Sequence, residues 1–154
     1  MPSFKKIINK LIDKNISISV AESCTGGLLS STITSVPGVS KIFNMGLIVY
    51  SNNAKISLLK INKGKLKKFG SVSKEIAQMM SKNLNKISKS ELCISTTGIA
   101  GPEGGSKEKP VGLVFIGILY KRKYFIIKNI FNGNRKEIQK KTVNHVLEKI
   151  ESLI

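Results

Sequence analysis

Apolar residues recur along this chain at two different spacings, and the alternation between them predicts the elements. Phe4, Ile7, Ile8, Leu11 and Ile12 fall three and four apart, which places them on one face of a helix over Phe4 to Lys14. The short run Ile16 to Val20, continuing to Ala21, lacks that spacing and reads as a strand buried on both faces. A helix follows over Gly26 to Ser35, then a Val36-Pro37-Gly38 turn, a second strand over Ile42 to Tyr50 and a short helix after Ser51. Lys60 to Phe69 is lysine-rich and broken by glycine, and reads as a surface connection. Ser73 opens a helix to about Lys86, with Glu75 and Ile76 in its first turn and Met79, Met80 and Leu84 on its apolar side.

The strand Leu92 to Thr97 comes next. Beyond a long loop, Gly112 to Leu119 and Tyr124 to Phe131 flank Tyr120-Lys121-Arg122-Lys123 at a spacing that suits an antiparallel hairpin. The last element, Arg135 to Ile154, carries Ile138, Thr142, Val146, Lys149 and Ile150 in helical register. No internal repeat appears. Helices and strands alternate first and a hairpin closes the set, which predicts an α/β chain folded as a three-layer α/β/α sandwich around a mixed, mostly parallel sheet. With 154 residues, 41% of them apolar, and no break in composition, one domain over 1–154 is expected.

Two predicted strands run directly into glycine-rich loops that carry hydroxyl residues: Ala21-Glu22-Ser23-Cys24-Thr25-Gly26-Gly27, and Thr97-Gly98-Ile99-Ala100-Gly101-Pro102-Glu103-Gly104-Gly105. At the carboxyl edge of a sheet, small residues let backbone N–H groups approach an anion or a polarised carbonyl. In the first loop Thr25 suits an N-cap, and the helix after it offers N-terminal amides to negative charge. Capping and tight packing explain the same residues, so this loop alone does not separate a cap from a site. The second loop is long for a compact domain, and loops of that length are usually functional or disordered.

Charge changes the picture less than its size suggests. The formal net charge is +17, yet only Arg122 and Arg135 are arginines and the lysines are scattered along the whole chain. Nucleic-acid recognition favours arginine forks and aromatic stacking, and aromatics make up 6% of the chain, so scattered charge here reads as compositional bias without a specific nucleic-acid partner. The N-terminal segment is basic but amphipathic, without the apolar core of a signal peptide, and no apolar stretch is long enough for a membrane span, so a cytoplasmic chain with no membrane partner is expected. Cys24 and Cys93 then read as free thiols.

The chemistry is narrowed by residue types. The single histidine, His145, falls inside the last helix and reads as an ordinary helix residue, and one histidine with two distant cysteines matches no zinc spacing. A serine activated by lysine remains available, provided that burial or neighbouring positive charge lowers the lysine pKa. Tyr50-Ser51-Asn52-Asn53-Ala54-Lys55 offers such a lysine in Lys55, which lies beside the Ser23 loop if the first two strands are neighbours. Local Ser-x-x-Lys strings at Ser57 to Lys60 and Ser71 to Lys74 follow from the abundance of both residues and carry no meaning.

The Ala21–Gly27 loop, Tyr50-Ser51-Asn52 to Lys55, Thr97 to Gly105 with Lys109-Pro110-Val111-Gly112, and Gly133-Asn134-Arg135 together resemble the CinA carboxyl-terminal domain family, in order and spacing, over about Ile7 to Leu153. Free-standing members of that family are nicotinamide-nucleotide amidohydrolases; in longer relatives the domain follows a nucleotide-pyrophosphatase domain. The resemblance implies hydrolysis of nicotinamide mononucleotide to nicotinate mononucleotide and ammonia, with Ser23 as nucleophile, Lys55 as its base and Tyr50 assisting, and with neither metal nor cofactor. Ligand contacts are then expected from Thr25, Gly26, Gly27, Thr97, Gly98, Ala100, Gly101, Gly104 and Gly105, and the substrate phosphate from Arg135 or a helix N-terminus. A homodimer is also expected. Asn134 departs from the aspartate common in the family, which puts the orientation of Arg135 in question. Cys24 is a rival nucleophile, but with no histidine nearby its side chain is expected to turn into the core. The alternative is a non-catalytic domain that holds a nucleotide phosphate in the same loops, and, further off, a basic nucleic-acid binder.

Overall fold

The computed structural model describes residues 3–154, so of the basic N-terminal segment Met1 and Pro2 lie outside the described residues. In chain order the elements are α1 (Phe4–Asp13), β1 (Ile18–Glu22), α2 (Leu28–Thr34), a 3-10 turn (Val39–Lys41), β2 (Phe43–Ile48), α3 (Asn52–Leu59), α4 (Lys63–Phe69), α5 (Lys74–Ser88), β3 (Leu92–Gly98), β4 (Leu113–Tyr120), β5 (Lys123–Ile130) and α6 (Arg135–Leu153). The strands form one five-stranded sheet in the order β2-β1-β3-β4-β5. β1 pairs in parallel with both β2 and β3, while β4 is antiparallel to β3 and to β5, so the sheet is mixed and only β4 runs against the rest.

Alternation of side chains along each strand divides the interior into two cores. Ile18 and Val20 of β1 and Leu92 and Ile94 of β3 face one core, closed by Ile8 and Leu11 of α1, Leu29 and Ile33 of α2 and Val146 and Ile150 of α6. Ala21 and Cys93 face the other, closed by Leu59 of α3, Leu66 of α4 and Ile76, Met80 and Leu84 of α5. Each such aliphatic side chain contributes about 1.5 to 3 kcal/mol on burial. The central strands β1 and β4 are buried at every position; β4 is accordingly a near-continuous apolar run, while β1 also buries the polar Ser19 and Glu22, and the edge strand β2 alternates half-buried with exposed. α5 approaches the sheet closely at Gly117, where a Cβ would stand 2.4 Å from the Ala77 carbonyl oxygen and 2.5 Å from Ser95 Oγ. Among the described residues no helix is long and apolar enough to cross a membrane.

Two expectations are corrected. Lys60 to Phe69 is not merely a connection, since Lys63–Phe69 forms a helix. Asn62 caps it by accepting the Lys65 amide at 3.0 Å, and Leu66 is buried while the lysines flank it in solvent. The first helix after β1 starts at Leu28, not Gly26, because Gly26 and Gly27 both take left-handed conformations, φ 57° and 102°, that no helix continues through. Thr25 is accordingly not its N-cap. The hairpin turn reduces to Lys121 and Arg122, both at positive φ, as the twist of a two-residue connection requires.

The register places the two glycine-rich loops together. Glu22 pairs with Thr96 on one side and with Ile48 on the other, so Ser23, the Thr97–Gly98 end of β3 and Val49–Tyr50 all lie at the same edge of the sheet.

Candidate active site

Ser23 is the first residue beyond β1, and its loop is held from below by the residue before it. The side chain of Glu22 is fully buried and accepts hydrogen bonds from Ser30 N (2.7 Å) and Ser30 Oγ (2.6 Å) on one oxygen, and from Thr25 Oγ1 (2.6 Å), Gly27 N (3.1 Å) and Leu29 N (3.0 Å) on the other. An anion at the start of α2 satisfies amides that otherwise have no partner. This carboxylate occupies the helix terminus that a substrate phosphate would otherwise use. Further ties run from Ser23 N to Thr96 O (2.9 Å), from Gly26 N to Ser23 O (3.1 Å), between Thr25 Oγ1 and Thr96 Oγ1 (2.8 Å), and from Gln139 Nε2 of α6 to Cys24 O (3.1 Å).

Lys55 comes from the neighbouring strand's continuation. Ser51 caps α3 by accepting the Ala54 amide at 3.0 Å, and this start turns Lys55 inward. Only 1% of Lys55 is exposed; its Nζ donates to Ser23 Oγ at 3.0 Å and to the Tyr50 carbonyl at 3.3 Å, and Ser23 Oγ makes a longer 3.4 Å contact to that same carbonyl. Burial lowers the Lys55 pKa below the ordinary lysine value of 10.5. A thiolate at Cys24 would work the other way, but burial pushes the Cys24 thiol up to about 12 and keeps it neutral. Cys24 is packed into the first core, as the absence of a nearby histidine suggested.

Two adjoining cavities lie over this pair. The inner one, about 150 Å³, is lined by Ser23, Cys24, Lys55 and Thr97. The outer one, about 470 Å³, is lined by Gly101, Gly104, Ser106, Lys109 and Arg135 among others. Tyr50, Ser71, Val72, Gly98 and Ala100 line both, so the two are continuous. Together they fall in the size range of small-molecule sites.

Of the expected ligand contacts, Thr97, Gly98, Ala100, Gly101, Gly104 and Arg135 therefore face the cleft. Thr25, Gly26, Gly27 and Gly105 do not line it. Thr25 is buried against Glu22 and Thr96, and Gly105 packs against Val111. Tyr50 reaches the Ser–Lys pair through its backbone carbonyl, while its exposed side-chain hydroxyl accepts a hydrogen bond from Arg135. His145 lies elsewhere on α6, 3.6 Å from Glu148. Among the described residues no group of three His, Cys, Asp or Glu side chains is placed to hold a metal.

The model of the CinA C-terminal domain matches residues 2–154. The chain belongs to that family. A CinA-like protein of Petrotoga mobilis is 43% identical over 148 residues, which is 96% of this chain and 37% of that protein. A protein of Thermoanaerobacter pseudethanolicus described as competence-damage inducible is 45% identical over 145 residues, 94% of this chain and 35% of its own length. This CinA domain thus spans little more than a third of these relatives. The crystal structure of a competence/damage inducible protein from Agrobacterium tumefaciens matches with a TM-score of 0.92 at 32% identity, covering 99% of this chain and 97% of that one. A CinA superfamily protein from Escherichia coli, 24% identical, shares the fold with a TM-score of 0.93 over 99% of this chain and 91% of its own.

Within this CinA domain the Asn134 departure leaves Arg135 well held. Asn134 accepts the Glu137 amide at 3.0 Å and its own amide donates to Glu137 Oε2 at 2.7 Å, a capping box for α6. Arg135 is oriented instead by Gly101 O, 2.7 Å from one terminal nitrogen, and by the Tyr50 hydroxyl at the other. Sequence reading missed Glu22, Ser71, Val72 and Lys109 as parts of the site. Glu22 and Lys109 sit in the motifs that carried the family resemblance, so their signal was present without a role attached. Ser71 and Val72 fall in the linker between α4 and α5 and carry no signal of their own.

Proposed function

We propose that this CinA domain hydrolyses the carboxamide of nicotinamide mononucleotide, giving nicotinate mononucleotide and ammonia. The observation that carries the reading is the 3.0 Å approach of a buried lysine amine to Ser23 Oγ at the floor of the inner cavity. The substrate follows from the family resemblance, and the paired cavities accord with a planar amide inside and a phosphoribosyl group outside.

In this reading Ser23 Oγ attacks the amide carbon while neutral Lys55 Nζ takes the hydroxyl proton. The Lys55 ammonium then gives that proton to the departing nitrogen as the C–N bond breaks, and ammonia leaves. Water, deprotonated by Lys55, attacks the nicotinoyl ester; the proton returns to Ser23 Oγ and nicotinate mononucleotide is released. The Tyr50 carbonyl, by accepting from Nζ, aims the nitrogen lone pair at the serine. Backbone amides of Cys24, Gly98 and Ala100, residues that line the inner cavity, are the candidate donors for the oxyanion.

Ammonia release from nicotinamide mononucleotide, assayed without added metal, tests the reading. The wild-type chain is expected to turn over, and Ser23→Ala to lose at least a thousandfold in kcat while still binding the nucleotide, because the serine acts on the transition state. Undiminished ammonia release by Ser23→Ala overturns the nucleophile. Tight binding without release by the wild type identifies a non-catalytic nucleotide-binding domain.

A further inference from the structure

We infer that Lys109 is the phosphate anchor of this site and the residue that selects a phosphorylated nucleotide over its nucleoside; the inference rests on the amidohydrolase reading for the placement of the amide at Ser23. Burial sorts the lysines of this chain. Lys55 is buried, Lys109 and Lys149 are half-buried, and every other lysine is exposed. Lys149 lies over the Phe125 ring at 5.5 Å, which accounts for its position. Lys109 lies at the wall of the outer cavity, continuous with the compartment that holds Ser23.

Its ammonium is fixed in advance. Nζ donates to the Phe69 carbonyl at the end of α4, at 3.0 Å, and stands 2.9 Å from where a Cβ on Gly70 would be, so the bare glycine makes room for it. The backbone around it is tied twice, Ser106 N to Lys109 O at 2.8 Å and Lys109 N to Ser106 Oγ at 3.0 Å. One acceptor leaves two N–H donors of the ammonium for an anion. A ligand whose amide carbon sits at Ser23 passes the shared rim of Tyr50, Gly98 and Ala100 and brings its far end into the compartment lined by Lys109.

Two helix starts and the one arginine at this site are already engaged. Glu22 fills the start of α2, and the Asn134–Glu137 capping box closes the start of α6. Arg135 is exposed at the rim, and two of its nitrogens join Tyr50 to Gly101, which makes it a brace between the walls. Glu103, also on this cavity, is exposed and is its one carboxylate among the described residues.

The test measures KM and kcat for ammonia release from nicotinamide mononucleotide and from nicotinamide riboside, with inorganic phosphate as a competing anion. Lys109→Met is expected to raise KM for the mononucleotide about 10- to 150-fold, the worth of one charge-assisted bond, and to penalise the riboside at least tenfold less. Phosphate inhibition of riboside turnover is expected to weaken in parallel, and Lys109→Arg, which keeps the charge, to retain most of the affinity. Lys60→Met, at an exposed lysine that does not line the cleft, controls for net charge. Calorimetric binding of the mononucleotide to the same variants reads the contact without turnover. A wild type that binds but releases no ammonia therefore refutes the amidohydrolase reading alone, while the Kd of Lys109→Met still decides the anchor. Equal penalties on both substrates, undiminished phosphate inhibition in Lys109→Met, or no binding of the mononucleotide by the wild type overturns it. If Lys109→Met fails to fold, Lys109→Gln carries the same comparison.

Discussion

Glu22→Gln replaces one carboxylate oxygen by an NH2 group in a fully buried position and leaves shape almost unchanged. Every partner of Glu22 donates to it, so the new amide meets donors whichever way it turns. Placing NH2 toward Ser30 does least damage, because the Ser30 hydroxyl can rotate to accept while the Ser30 amide cannot. That single orphaned N–H costs about 1 to 3 kcal/mol. The remaining bonds from Thr25 Oγ1, Gly27 N and Leu29 N lose their charge assistance, roughly half their strength, and the start of α2 loses its compensating anion, worth up to about 2 kcal/mol when partly buried. Relief of the carboxylate's desolvation offsets part of the sum, leaving a loss of about 3 to 5 kcal/mol. For a domain of this size that lowers Tm by about 10 °C, measurable by calorimetry or circular dichroism. Activity at a temperature where the variant remains folded should fall further than stability alone explains, since Ser23 is the next residue. A Glu22→Gln variant melting within about 2 °C of wild type would refute this account of the loop.

The depressed Lys55 pKa sets the direction of two pH effects. kcat/KM for ammonia release should rise about tenfold per pH unit below that pKa and level off short of 10.5, and Lys55→Arg, which stays protonated, should be inactive; a flat profile with an active arginine variant refutes the base. Between the lowered folded-state pKa and 10.5 the unfolded chain binds more protons, so the wild type should gain stability relative to Lys55→Met as pH rises through that window, and thermal melts at several pH values check the sign. Gly117→Ala should cost about 1 to 3 kcal/mol or more, because its Cβ meets the Ala77 carbonyl at 2.4 Å and backbone cannot step aside as a flexible side chain would; a Tm equal to wild type contradicts the close approach.

Elements defined by apolar periodicity were legible in the sequence. The buried strands β1, β3 and β4 each contain a short apolar run without helical spacing, and α1 and α5 carry helical stripes, so the layers and the shared edge of the two glycine-rich loops followed. α4 was not legible, because its helix rests on one buried leucine and a cap at Asn62 inside a lysine-rich stretch that resembles any solvated linker. The capping of α2 was hidden for another reason: its acceptor stands on the preceding strand, outside the cap position where sequence signals are sought, so Thr25 attracted a role that belongs to Glu22. For the candidate site, Ser23 and Lys55 were found through motif and resemblance, whereas Lys109 shares a cavity with Arg135 only because a loop and a helix start distant in the chain converge beyond the sheet edge.

A chain with a net charge of +17 has lysines almost everywhere, and abundance alone gives none of them a function. What separates Lys55 is the helix start at Ser51, which turns its side chain under the sheet edge, where burial lowers its affinity for a proton and Ser23 and the Tyr50 carbonyl are the partners within reach. A solvated lysine at the same sequence position would keep its ordinary pKa and, in the proposed reaction, would be a poorer base for the serine. The shift at Cys24 next door is opposite: burial outweighs the nearby Lys55 charge and raises its pKa to about 12. The same physical effect, desolvation of the charged form, thus lowers the pKa of the lysine and raises that of the thiol, because one group is charged when protonated and the other when deprotonated.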